Sequence, residues 1–120
     1  MTKKELRQLY KQKRTALSVA EREMMSLQIA QQLSICDIWG YNFYHLFLSI
    51  KELNEVDTTP ILQLLYQKNK QVVVPKMNSE KRTLTSIPFT KDTLLQTNNW
   101  GVPEPKDGIA ISAHKIQVVF

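Results

Sequence analysis

The first fourteen residues hold six bases, Lys3, Lys4, Arg7, Lys11, Lys13 and Arg14, against one acid, Glu5. At about 100° per residue, Lys3, Lys4, Arg7, Lys11 and Arg14 share one arc of a helix. Like charges so spaced repel by roughly a few tenths of a kcal/mol per pair, a cost that an anion between them would offset. The stripe is therefore a candidate phosphate clamp; the plainer alternative is a solvated basic face. The whole chain has a formal charge of +5 over 120 residues, so the remainder is electrically balanced. Excess confined to one segment argues for a local anion site or a basic arm more than for a nucleic-acid-coating surface.

Other chemistry is sparse. A single cysteine, Cys36, excludes an intrachain disulfide framework and a CxxC-type zinc site, and it reads as a structural residue. His45 and His114 stand far apart and offer no metal-ligand spacing. His45 lies within an apolar run, where a hydrogen-bonded core or edge histidine is the ordinary reading. Trp100 and Tyr44 are aromatic candidates for stacking on a ligand, against the usual fate of single aromatics in a core. With only Gly40, Gly101 and Gly108, the sequence has no glycine-rich phosphate loop of the GxxxxGK[ST] or GxGxxG kind.

The elements that must position these residues follow from local signals. Thr2-x-x-Glu5 and Ser18-x-x-Glu21 have capping-box spacing and predict two helix starts. Leu6, Leu9, Tyr10 and Leu17 form the apolar arc of the first helix. In the second, from Val19 to about Cys36, Met25, Ile29 and Leu33 recur every four residues, with Glu21, Arg22 and Glu23 at the outer start. Tyr41 to Ile50 reads as a strand buried on both faces. Thr59-Pro60 reads as a cap and N1 proline before a helix of about ten residues. Gln71 to Val74 reads as a second buried strand ending at Pro75, and Ile116 to Phe120 as a third. Strand, helix and strand in succession, with a crossover of about twenty residues, predict a parallel βαβ unit and an α/β class. Residues 76 to 112 are less regular, with a strand at Thr83 to Ile87, a helical turn near Lys91 to Leu95 and a proline-rich WGVPEP stretch. One domain over residues 1–120 is expected, with no membrane span and no secretory signal, hence a cytoplasmic place. Ending on an apolar strand, where α/β sites form in the following loop, reads as truncation.

Six pieces, in order along nearly the whole chain, resemble the 5-formyltetrahydrofolate cyclo-ligase family. They are Lys3-Lys4-Glu5-Leu6-Arg7 with Lys11 and Arg14, Leu17-Ser18-x-x-Glu21-Arg22, Phe47-Leu48-Ser49, Glu55-Val56-Asp57-Thr58, Val74-Pro75, and Trp100-Gly101-Val102-Pro103-Glu104-Pro105. The resemblance implies a three-layer α/β/α sandwich, Rossmann-like, with a mostly parallel sheet. It implies ATP- and Mg2+-dependent closure of 5-formyltetrahydrofolate to 5,10-methenyltetrahydrofolate, with release of ADP and phosphate. It assigns ATP binding to Lys3, Lys4, Glu5, Leu6 and Arg7, and substrate binding to Leu48, Glu55 and Trp100. It names no catalytic residue and no metal ligand among these residues. The family's glycine-rich GxGxGYYD-like segment, which contacts ATP and leads to the metal, is expected after the last strand and is not in this sequence. The expected partner is the small folate substrate, with neither nucleic acid nor membrane. A monomer is expected at full length, and self-association of the shorter chain through an open strand edge. Two other functions compete: a basic nucleic-acid-binding module and a non-catalytic interaction fragment.

Overall fold

A computed structural model describes residues 1–78 and 80–120. Helix α1 (Lys3–Thr15) and helix α2 (Val19–Ser34) begin at the two capping boxes. Thr2 Oγ1 accepts the Glu5 N–H at 3.1 Å while Glu5 Oε2 accepts the Thr2 N–H at 2.6 Å, and Ser18 and Glu21 repeat the exchange. These reciprocal bonds satisfy N–H groups that no helical carbonyl reaches. Ser18's N–H and hydroxyl also hold the Glu21 carboxyl below the usual range.

Strand β1 (Phe43–His45) pairs in parallel with β2 (Gln71–Asn78) on one side and β6 (Val118–Val119) on the other. Helix α3 (Thr59–Gln67) forms the crossover from β1 to β2. Strand β3 (Thr83–Pro88) then adds antiparallel to β2, giving a sheet in the order β3-β2-β1-β6. The class is α/β with a mostly parallel sheet, as the strand-helix-strand pattern predicts. One core joins Ala30 of α2 and Ile61 and Leu65 of α3 to Tyr44, Leu46, Val72 and Val74, so α2 and α3 cover the same sheet face. At its end Trp39, Tyr44 and Phe120 lie ring to ring, with centroids 5.8 to 6.3 Å apart. Among the described residues no helix is long and apolar enough to cross a membrane.

Several local expectations are corrected. The apolar arc of α1 is not a core face: none of its residues is buried. The buried residues of α2 are Arg22, Ser26 and Ala30, whereas Met25 and Ile29 are exposed. The first strand is shorter than Tyr41 to Ile50 and is covered unevenly, with Tyr44 and Leu46 fully buried and Phe43 and His45 only half-buried. His45 Nδ1 is shielded from solvent without a hydrogen-bond partner, and burial lowers the ring's pKa below 6.5. Tyr44 belongs to the core, its hydroxyl donating to the Ile38 carbonyl at 2.7 Å. Thr58, not Thr59, is the N-cap of α3; the Asp57 carboxylate accepts the Thr59 N–H at 3.0 Å instead of a cap hydroxyl.

Strand β2 does not stop at Pro75. The Met77 N–H turns away from β3 to a side chain, and Pro75 has the same parity. Its missing donor therefore faces β1, where the last ladder bond runs from the Leu46 N–H to the Val73 carbonyl at 3.0 Å, so the proline ends the parallel pairing while the bonds to β3 run on. The stretch read as a helical turn and a proline-rich loop forms a hairpin of β4 (Leu95–Thr97) and β5 (Pro103–Pro105). The last strand is a two-residue edge with Val119 exposed, not a buried one.

Candidate functional site

Parallel strands deliver their following loops to one edge, and here β1 delivers residues 49–58. That loop is tied down at almost every residue. Ser49 Oγ donates to the Val56 carbonyl at 2.5 Å and accepts the Thr58 N–H at 3.1 Å, and the Thr58 hydroxyl donates back to Phe47 at 2.9 Å. Glu55 Oε1 accepts the Ile50 N–H at 2.7 Å. From α2, Arg22 Nε donates to the Glu55 carbonyl and Ser26 Oγ accepts the Asp57 N–H at 2.8 Å. Asn54, in the left-handed region at φ 55°, sends Nδ2 to the carbonyls of Arg14 (2.7 Å) and Leu17 (2.9 Å). The loop is thus held to the end of α1 and to one face of α2.

Two adjoining cavities open between this loop and the β4–β5 hairpin. The first, about 350 Å3, is lined by Arg22, Leu48, Asp57, Thr58, Leu62 and Leu95 among others; the second, about 600 Å3, by Ile50, Leu53, Thr97, Trp100 and Gly101 among others. Ser49, Lys51 and Pro103 line both. Burial pushes the Asp57 carboxyl up, but the Thr59 side-chain and N–H bonds and the charges of Arg22 and Lys51 outweigh it and leave the pKa below 3.8. The first cavity therefore pairs an apolar floor with two carboxyl side chains, Glu23 and the ionised Asp57, and two cations, Arg22 and Lys51. The second has an aromatic wall, because Trp100 is 59% exposed on a turn whose Gly101 sits at φ 77°.

Of the residues singled out from the sequence, Leu48 faces the first cavity and Trp100 the second. Glu55 lines neither: one carboxylate oxygen braces Ile50. Lys3, Lys4, Glu5, Leu6 and Arg7 lie exposed in the first half of α1 and also line neither, with Glu5 committed to its capping box. At about 1.5 Å per residue, Arg7 stands roughly 10 Å and Lys3 roughly 16 Å along the axis from the Arg14 carbonyl that Asn54 holds. Arg22, Ser49, Lys51, Asp57 and Thr58 were not singled out. Their signal was weak but present: Arg22, Ser26 and Ala30 recur every four residues as a stripe, and Ser49, Asp57 and Thr58 sit inside matched segments.

The cleft lies at the carboxyl end of the first parallel strand, charged and apolar in its first cavity and walled by an indole in its second. A model of the 5-formyltetrahydrofolate cyclo-ligase family matches residues 1–120. The chain belongs to that family. Among solved structures, the 5,10-methenyltetrahydrofolate synthetase of Aquifex aeolicus superposes with a TM-score of 0.80 at 26% identity, over 99% of this chain and 59% of that one. A synthetase of the same name from Mycoplasma pneumoniae superposes with a TM-score of 0.70 at 21% identity, over 99% of this chain and 62% of that one, and bears on the fold alone. The chain thus spans about three fifths of the length of these family structures. No curated protein matches it.

Proposed function

We propose that the chain carries the folate-binding side of a cyclo-ligase that converts 5-formyltetrahydrofolate to 5,10-methenyltetrahydrofolate, with ATP becoming ADP and phosphate. The observation that carries this reading is the pair of adjoining cavities at the end of β1, with Leu48 facing one and Trp100 the other, in a chain the family model matches throughout. Leu48 and Leu62 give the flat head an apolar floor. Trp100 offers its face to the aminobenzoyl ring. Glu55 lines neither cavity but lies part-exposed in the loop that walls both, and it keeps one carboxylate oxygen beyond the Ile50 bond for the adjacent N–H donors that a pterin presents.

ATP supplies a phosphoryl group that turns the formyl oxygen into a leaving group. The N10 amine then attacks the formyl carbon, and the former formyl oxygen departs within inorganic phosphate. Cations beside the phosphates favour charge that develops during transfer, a role this reading gives to Lys3, Lys4 and Arg7. Their side chains are exposed and extend the protein's positive end toward solvent. Among the described residues no three His, Cys, Asp or Glu side chains come together, and Mg2+ in such a reaction is held by one or two carboxylates together with the substrate's phosphates. The reading also carries a cytoplasmic place and a monomeric enzyme.

The test is calorimetric titration of the 120-residue chain with 5-formyltetrahydrofolate, followed by an absorbance assay for methenyltetrahydrofolate with ATP and Mg2+. Saturable folate binding without turnover is expected. No folate heat at millimolar ligand would overturn the assignment, and robust turnover would place the nucleotide site wholly within these residues.

A further inference from the structure

The hairpin that carries Trp100 is fastened to the main sheet through a buried carboxylate. Glu104 is only 5% exposed, and its Oε2 accepts the Met77 N–H at 3.0 Å and Asn98 Nδ2 at 3.3 Å. Met77 lies on the part of β2 that runs on after β1 has ended, so the carboxylate occupies a position where a neighbouring strand would otherwise accept the bond. Asn98 is committed at every polar atom. Its Oδ1 accepts the N–H groups of Trp100 (2.9 Å) and Val102 (3.0 Å), its backbone N–H donates to Val102, and its carbonyl accepts from Gly101. The opposite amide orientation would turn NH2 toward two N–H groups, so the network admits only this one. Burying a carboxylate is costly unless its bonds are made, and these bonds join β2 to the turn under Trp100.

We infer that Glu104 and Asn98 are positioning residues: they hold Trp100 at the mouth of the second cavity and so set how firmly the aromatic part of the ligand is gripped. The grip rests on the folate reading above; the immobilisation of Trp100 does not. Tryptophan fluorescence reports it directly, because Trp39→Phe leaves Trp100 as the one indole.

In that background the measurements are Trp100 anisotropy and calorimetric affinity for 5-formyltetrahydrofolate. E104Q retains an amide oxygen in the place of Oε2 and should stay within about threefold of the parent in affinity. N98D still accepts the two N–H groups but sets a second carboxylate against the first. It should lower the anisotropy and weaken folate binding about tenfold or more, the scale of a lost charged hydrogen bond. Combining N98D with E104Q removes the repulsion between two charges, but the single atom in the place of Oε2 cannot both accept the Met77 N–H and donate to the carboxylate at position 98, so both readouts should return part of the way toward the parent. Unchanged anisotropy in N98D, or a double variant no better than N98D, would overturn the inference. If N98D is unfolded, the double variant's recovery decides alone. If the parent binds no folate, the functional reading fails, and the anisotropy of the same variants still decides whether Glu104 and Asn98 hold Trp100.

Discussion

Replacing Glu55 by Gln separates two jobs that one carboxylate performs. Oε1 accepts the Ile50 N–H, and the proposed function gives the remaining oxygen to the pterin. A Gln amide oxygen can keep the Ile50 bond, so the loop should lose no more than about 0.5 kcal/mol of stability, as for a surface-type change. Toward the ligand, a charged hydrogen bond worth about 1.5–3 kcal/mol becomes a neutral one of about 0.5–1.5. The difference, about 1–2 kcal/mol, predicts folate affinity lower by roughly 5- to 30-fold. Glu55→Ala removes the brace as well and leaves the Ile50 N–H unpaired, adding about 1–3 kcal/mol of destabilisation. Calorimetry with 5-formyltetrahydrofolate gives the affinities and urea melts give the stabilities. Parent-like folate affinity in E55Q would show that Glu55 is a loop brace only.

Arg7→Ala should weaken ATP binding at least several-fold while leaving folate affinity unchanged, because α1 lines neither cavity; unchanged binding of both ligands, measured by calorimetry, would mark the stripe as a solvated face. Gly108→Ala should destabilise the fold by about 1–3 kcal/mol in urea melts. A Cβ there would run into Ile87 Cγ2, on a backbone at φ 148°, and a variant as stable as the parent would contradict that approach. Burial holds folded His45 below 6.5, so on acidification the unfolded chain takes up the proton first. Unfolding free energy should fall from about pH 6.5 to the folded value and then level off, and His45→Gln should flatten that part of the profile. Identical slopes in the two proteins would remove His45 as the cause.

What the sequence disclosed was what local physics settles. Thr2 with Glu5, and Ser18 with Glu21, carry their partners within three residues, so both helix starts are readable before any tertiary contact. The β1-α3-β2 crossover follows from apolar runs and a proline near a helix start. The buried face of α2 was not readable from hydrophobicity, because Arg22 and Ser26 are rewarded by backbone groups of residues 55–57, some thirty residues away. Hydropathy therefore pointed to Met25 and Ile29, one position round the helix. Three-residue strands bearing prolines, as in β5, have no period to detect. Leu48 came from family resemblance alone; Trp100 was also a stacking candidate by residue type, although the usual fate of either residue is a core. The polar frame of Ser49, Asp57 and Thr58 emerges only when the loop is closed on itself.

Helix α1 buries no residue, so its persistence is governed by its ends: the Thr2–Glu5 box at one and the Asn54 amide at the other. An element of that kind opens at lower free-energy cost than a buried sheet, so hydrogen exchange should find its amides faster than those of β1 and β2. Asn54 sits in the same loop that walls the cavities, so whatever orders residues 49–58 also lowers the entropy lost when α1 docks. The basic segment is in this sense an arm whose order is drawn from the loop that walls the two cavities.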